Sequence, residues 1–426
     1  MKYKLSAIVV ASTLAMALSG AAFAATSADI TQTGQGHAAF IDQAGNANDN
    51  VSASIVQSGS GNRAGNPDTL NAAPDAGGIL QTNNRGKTRA EIIQSGTTNL
   101  GAVVQENVNG KYASVKQTGT SNLGSIIQQD GTGGGATLTQ NGQNHASAIT
   151  MTGLVRGDTR GNSGTVEVSQ FDRGNRAEVL QVGRGHASVK QNGNYNKATL
   201  KSTSLVGDMD VVQNGTNNVA RATVPGSIQQ IGNDNTAMLL GDSNSLVIDP
   251  LGYRARGEIV QWGQSNNASI DAQYSAGSGL ARIEQIGSYN TASIKGGGRF
   301  APTLSNIQQL GYANQANIVQ NNFQAGSASI VQKGVTQKSS IVQTSFGGSA
   351  AQTAQTGTDN VALITQASND NEASILQSGN RNQAQVTQSQ IEGAGANMAR
   401  IQQQGNDLQA SITQNGRDNR AAIRQR

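Results

Sequence analysis

The chain has 426 residues, with 30 Lys and Arg against 26 Asp and Glu, no Cys, and aromatic side chains at only 3%. These values exclude a disulfide-stapled fold, and scattered basic residues with one Trp leave no footprint for nucleic acid, which is not expected as a partner. With hydrophobic residues at 35% and many Gln, Asn, Gly and Ser, an ordinary globular core is undersupplied, so the choice lies between disorder and a repetitive hydrogen-bonded architecture.

At the start of the chain, Lys2 and Lys4 precede an apolar run from Leu5 to Leu18, and Ala22-Phe23-Ala24 forms an A-x-A cleavage site. Residues 1–24 are therefore read as a signal peptide, and the mature chain as secreted. Removing it leaves 28 basic against 26 acidic side chains, close to neutrality. No later stretch approaches the roughly 20 consecutive apolar residues of a membrane span.

From residue 25 onward one pattern recurs. Q-x-G-x-x-N occurs at Gln57 to Asn62, Gln94 to Asn99, Gln117 to Asn122, Gln191 to Asn196, Gln213 to Asn218 and Gln230 to Asn235. It continues at Gln261 to Asn266, Gln285 to Asn290, Gln309 to Asn314, Gln355 to Asn360, Gln377 to Asn382 and Gln414 to Asn419. Ala follows two residues after the Asn in every copy except those ending at Asn99 and Asn122, where Gly101 and Gly124 stand instead. Fixed offsets of this kind contradict disorder.

Around Gln309, the residues Ser305, Ile307, Asn314, Ala316, Ile318 and Gln320 alternate on both sides of the x-G-x-x break, which predicts strand, turn, strand with one buried face. In the C-terminal tract further glutamines, among them Gln320, Gln366, Gln388 and Gln425, fall at steps of 11 or 12 residues, so two steps make one coil. The expected fold is all-β: a β-solenoid of stacked strand-turn-strand units over residues 25–426, in which the motif Gln and Asn stack into buried structural amide ladders. The plainer alternative, a solvated strand face, does not account for constant offsets.

Three stretches lengthen the spacing, near 64–78, 152–166 and 241–257, and read as loop inserts. Pro67, Pro74, Pro225, Pro250 and Pro302 all lie at the end of an arc or between arcs, as expected of a residue that cannot donate to a central ladder. Neither end of the array carries an evident cap, so its edges are expected to template another chain.

No catalytic constellation emerges. His37, His145 and His186 each stand five residues after a glutamine, at Gln32, Gln140 and Gln181, and read as polar substitutes in the Asn column, with no metal expected. Serine lacks a nucleophile elbow, Asp208 and Asp210 read as loop charges, and the Gly-rich stretch 131–136 lacks a phosphate-loop Lys. No enzyme activity and no cofactor are expected. Arg417, Arg420, Arg424 and Arg426 crowd the C-terminal residues, either as a solvated face or as a contact for an anionic cell surface or a partner.

The segments SIVQSGSGNRA, SNIQQLGYANQANIVQ, ILQSGNRNQAQVTQ and ITQNGRDNRAAIRQ resemble the curlin repeat of curli, the bacterial extracellular amyloid fibres. The resemblance implies a structural subunit that self-assembles with other curlin subunits, leaves the cell through a dedicated outer-membrane channel with accessory factors, and serves adhesion and biofilm matrix. AFIDQAGNANDN, VQKGVTQKSSIVQ and AAIRQR look like the minor, nucleating type of subunit, although the chain has many more repeats than either usual type. A monomeric β-solenoid adhesin is the alternative from a different class.

Overall fold

A computed structural model describes residues 26–44, 50–64, 78–152, 164–183, 185–202, 208–222, 226–233, 236–240, 256–274, 280–298, 303–322, 326–345, 348–367, 369–389 and 396–426. The signal-peptide reading, all five prolines and most of each insert lie outside these residues. Strands reach into the edges of the inserts at Ala64, Gly78, Thr152, Val166 and Gly257.

The described residues form 35 strands and no helix. The chain is a β-solenoid in which each coil adds one strand to each of two ladders, here termed the first and second arcs. The strand pairings of the described residues are parallel and in register, so equivalent repeat positions meet on successive coils. Contacts group the array into two compact units, Met1–Val168 and Ser169–Arg426.

In the first unit, the first arc stacks Ser27–Gln35, Ser52–Ser60, Arg89–Thr97, Tyr112–Thr120 and Gly135–Gln143. Its second arc includes Leu100–Asn109, Leu123–Thr132 and Ala146–Thr152. One second-arc rung is made of two pieces, Arg63–Ala64 and Gly78–Thr82. Arg63 pairs with Leu100 and Gly78 with Ala102, so the two pieces share one register on the rung below.

In the second unit, the first arc runs from His186–Asn192 through Thr303–Tyr312 to Arg420–Gln425, and the second from Arg176–Val182 through Gln315–Asn322 to Gln409–Asn415. Alternation places small and branched side chains inward. Ile283, Ile307, Ile330, Thr353, Ile375 and Ile401 form one enclosed column, and Ile318, Ile341, Ile364 and Val386 form the corresponding column of the other arc. A narrow two-arc interior explains how a chain poor in aromatics still has a dry core: apolar columns and amide columns share it.

Gly101 and Gly124 stand where other coils have Ala because their coils are crowded. A Cβ at Gly101 would lie 3.0 Å from Ile92 Cγ2, and one at Gly124 would lie 2.7 Å from Leu138 Cδ2.

Candidate functional site

The chemistry of the chain lies in its repeated amides. In the first arc of the first unit, Gln32 Nε2 donates to Gln57 Oε1 at 2.7 Å, Gln57 to Gln94 at 2.7 Å, Gln94 to Gln117 at 2.8 Å and Gln117 to Gln140 at 2.8 Å. In the second unit the same column runs from Gln170 and Gln191 through Gln213, Gln230, Gln261, Gln285, Gln309, Gln332, Gln355, Gln377 and Gln403 to Gln425. Every link points the same way, each Nε2 donating to the glutamine of the next coil toward the C-terminus. The second N–H crosses the interior to the other arc, as when Gln309 Nε2 donates to Thr291 O at 3.0 Å and Gln332 Nε2 to Gln315 O at 3.0 Å. These columns therefore cross-link the two arcs as well as stacking the coils.

The second arc has its own column, in two runs. In the first unit Gln43, Gln81, Gln105 and Gln128 are linked, and Gln128 Nε2 then meets Met151 Sδ at 3.5 Å. In the second unit Gln320, Gln343, Gln366, Gln388 and Gln414 are linked at 2.7–2.9 Å. Between Gln181 and Gln320 the column loses its amides: Gly296 is the rung before Gln320, and Ala272 the rung before that. Where Gly296 offers no donor, Ser305 Oγ supplies one to Gln320 Oε1. Of the twelve motif glutamines, eleven lie on the first arc, whereas Gln414 lies on the second.

The asparagines do a different job. Asn62 Nδ2 donates to Ser58 O at 2.8 Å within its own turn and to Gly96 O at 3.1 Å on the next coil, while its Oδ1 accepts from Asn99 N at 3.0 Å. The same set recurs at Asn99, Asn122, Asn196, Asn266, Asn360 and Asn382, and in part at Asn218, Asn290 and Asn314. Side-chain amides thus stand in for the backbone partners that a turn would otherwise leave open. Asn419 belongs to the opposite turn, stacked on Asn397, whose N–H in turn bonds Asn371 Oδ1. Asn235 lies outside the described residues.

The turn needs its glycine. Gly311 has φ 130°, and a Cβ there would lie 2.0 Å from Gly334 O on the next coil. One feature escaped sequence reasoning: the residue just before each Asn is left-handed whatever its type, as in Thr98 (φ 54°), Ser121 (φ 56°), Tyr289 (φ 60°), Ala313 (φ 53°) and Arg381 (φ 56°). The Asn bonds on either side hold this conformation in place.

His145 is buried in the Asn column of the first unit, its N–H bonded to Asn122 Oδ1. His37 Nδ1 likewise takes the N–H of Asn62. His186 starts a first-arc strand at the opposite turn, where Asp208 Oδ1 takes its N–H. The three rings lie on separate coils. Arg417, Arg420, Arg424 and Arg426 are all exposed.

Lys111 was also missed. It is enclosed at a turn of the first unit, with Nζ donating to Asp130 O at 3.0 Å. Burial lowers its pKa to about 8, against the opposing pull of the Asp130 carboxylate. No sequence signal separates this lysine from the exposed ones.

The curlin-associated repeat matches residues 357–389 and 396–426, which hold the first-arc links from Gln377 to Gln425 and the second-arc links from Gln366 to Gln414. A comparison with curated protein sequences returns no match. The two C-terminal segments are curlin-associated repeats, and the stacked arcs and amide columns they carry recur through the rest of the described chain.

Proposed function

We propose that the chain is a structural, non-enzymatic subunit of an extracellular curli-type amyloid fibre, polymerising end to end by β-strand addition for adhesion and biofilm matrix. The observation that carries this reading is the single direction of the first-arc glutamine column. Ser27–Gln35 is exposed along its length and presents Gln32 with its Oε1 outward from the stack, while Gln425 on the strand Arg420–Gln425 donates one N–H to Gln409 O and keeps the other for a further rung. Ser27–Gln35 of one copy set in register on Arg420–Gln425 of another places Gln32 Oε1 over Gln425 Nε2. The new rung repeats the contacts already present between coils.

Such a contact is heterologous, so it propagates without closing. Each addition extends a backbone ladder and an amide column together, which makes growth cooperative once an ordered edge exists. The leader read at residues 1–24 supports export, and the resemblance to curlin subunits supports passage through an outer-membrane channel. The exposed arginines at 417, 420, 424 and 426 favour a second role, contact with an anionic cell surface by a nucleating subunit.

The test is dilution of the chain from denaturant, followed by thioflavin fluorescence, electron microscopy and fibre diffraction. Filaments with a meridional spacing near ~4.7 Å are expected. A stable β-rich monomer overturns the polymer reading in favour of the adhesin. Seeding of a second curlin at substoichiometric amounts separates nucleator from main subunit.

A further inference from the structure

A groove opens on one turn of the first unit, where the second arc hands over to the first. Its volume is about 500 Å³, and it runs along the stacking direction across three coils. Asn83 and Asn107 form one wall, Arg85, Asn109 and Thr132 the other, and Val108 and Gly131 the floor. The walls are columns of the stack. Arg85 bridges to Asn109 and Asn109 pairs with Thr132, while Asn83 and Asn107 share left-handed φ values of 53° and 52°. The floor is open at its third rung because Gly131 stands where the two preceding coils turn Asn84 and Val108 inward.

The side chains around this space are not used by the fold. Elsewhere amides on successive rungs bond one another, as Asn192 Nδ2 does to Asn214 Oδ1 at 2.7 Å. Among the described residues, the side chains of Asn83, Arg85, Asn107, Asn109 and Thr132 have no hydrogen-bond or ion-pair partner. Together they present a planar guanidinium, amides and a hydroxyl to one space. Asn109 is also held in place: a Cβ at Gly86 would lie 2.2 Å from its Oδ1, so only glycine there lets the amide lean over the turn. The local charge is positive. Lys87 is exposed close to Arg85, the Asp130 carboxylate beside Gly131 is offset by Lys111, whose Nζ donates to Asp130 O at 3.0 Å, and Glu106 accepts from Gln129 at 3.3 Å.

We propose that this groove is a binding site for a short acidic saccharide built of uronate sugars. The Arg85 guanidinium takes the carboxylate of one sugar in a pair of parallel hydrogen bonds, which no other side chain in the groove can make. Ring hydroxyls both donate and accept, and the Asn83, Asn107 and Asn109 amides offer both functions on the two walls. Three rungs at ~4.8 Å spacing span roughly 10 Å, room for two linked sugar rings. An apolar ligand would find only Val108 in the floor, and a free phosphate would meet Arg85 while leaving the far wall unused. The groove lies on the side of the stack and not at its open edge, so the site is independent of the polymer reading.

The test is equilibrium dialysis of the full chain against labelled digalacturonate, with maltose and acetate as competitors. Saturable binding of a single digalacturonate per chain is expected, with neither competitor displacing it at equal concentration. Arg85→Gln should weaken binding roughly tenfold or more, as loss of a charge-assisted pair does, and Thr132→Val several-fold. Asn109→Asp keeps the shape of the wall but sets a negative charge beside the ligand, and should abolish binding. Arg400→Gln, at an exposed arginine of the second unit, should leave it unchanged. Displacement by maltose would make the site one for neutral sugars, and displacement by acetate a bare carboxylate contact. Either overturns the proposal, as do full binding by Arg85→Gln and the absence of saturable binding. Filament growth is followed separately by thioflavin fluorescence, so loss of the saccharide site and loss of the polymer contact are told apart.

Discussion

At the residue scale the turn is governed by close approach more than by flexibility. Gly311 combines a positive φ with a carbonyl 2.0 Å from any added Cβ, so Gly311→Ala forces the backbone of two coils apart. A loss of at least ~2 kcal/mol is expected from the strain alone, read as a lower urea midpoint. An unchanged midpoint would mean that the coils can slide apart at the turn without loss. Lys111 gives a pH signature instead. Its folded pKa of about 8 lies below the model-compound value of 10.5, so the unfolded chain holds the proton more tightly. Stability should therefore be greatest above the unfolded value and fall as pH drops from 10.5 through 8. Between pH 7.5 and 9.5, below the titration of Tyr112, whose pKa burial raises, the wild-type chain should gain on the order of 2 kcal/mol that Lys111→Met does not. Parallel pH profiles for the two proteins would show that Lys111 reaches water.

At the element scale, an arc is a period-two strand whose inward positions are held by columns rather than by a three-dimensional core. Gln309 illustrates the stakes: it accepts from Gln285, donates to Gln332 and donates across the interior to Thr291 O. Replacing Gln309 and Gln320 together by Lys removes a link from both arcs and buries two like charges, so the thioflavin lag should lengthen and the urea midpoint fall. The milder Gln309→Met leaves the Gln285 donor short of its acceptor and should cost roughly 1–3 kcal/mol. Unaltered kinetics in the Lys variant would count against the inward amides.

The two-arc plan was legible because Gln, Gly, Asn and Ala keep constant offsets that only stacking makes useful. Other parts were hidden for physical reasons. Gln81 continues the second-arc column, but the insert before it breaks the linear spacing while the register of Gly78–Thr82 on residues 102–106 is kept. The left-handed column is built from Thr, Ser, Tyr, Ala and Arg alike, because neighbouring Asn bonds impose the conformation and no residue type announces it. Gln414 shares its motif with the first-arc glutamines yet sits on the second arc, since the two turns near the C-terminus use the same chemistry. Only counting arcs separates them.

At the scale of the whole molecule the question is which backbone groups are left to recruit another chain. Ser27 N donates to Val51 O, so residues 27, 29 and 31 direct their N–H groups to the next coil of their own chain, and the alternation of a parallel strand turns those of 28, 30 and 32 to the open side. Proline separates the two faces of this one strand. Ile30→Pro removes a donor that no described residue takes and trims only the half-exposed end of the Ile55 column, so its unfolding midpoint should fall little while elongation through that edge is lost. Thr31→Pro removes a donor that holds Ser27–Gln35 to Ser52–Ser60 and should loosen the strand within the monomer, raising hydrogen exchange across residues 27–35. Seeded growth followed filament by filament distinguishes the cases. With Ile30→Pro monomers, seeds should not extend by pairing through Ser27–Gln35, and equal growth of both variants at wild-type rate would place the polymer contact elsewhere.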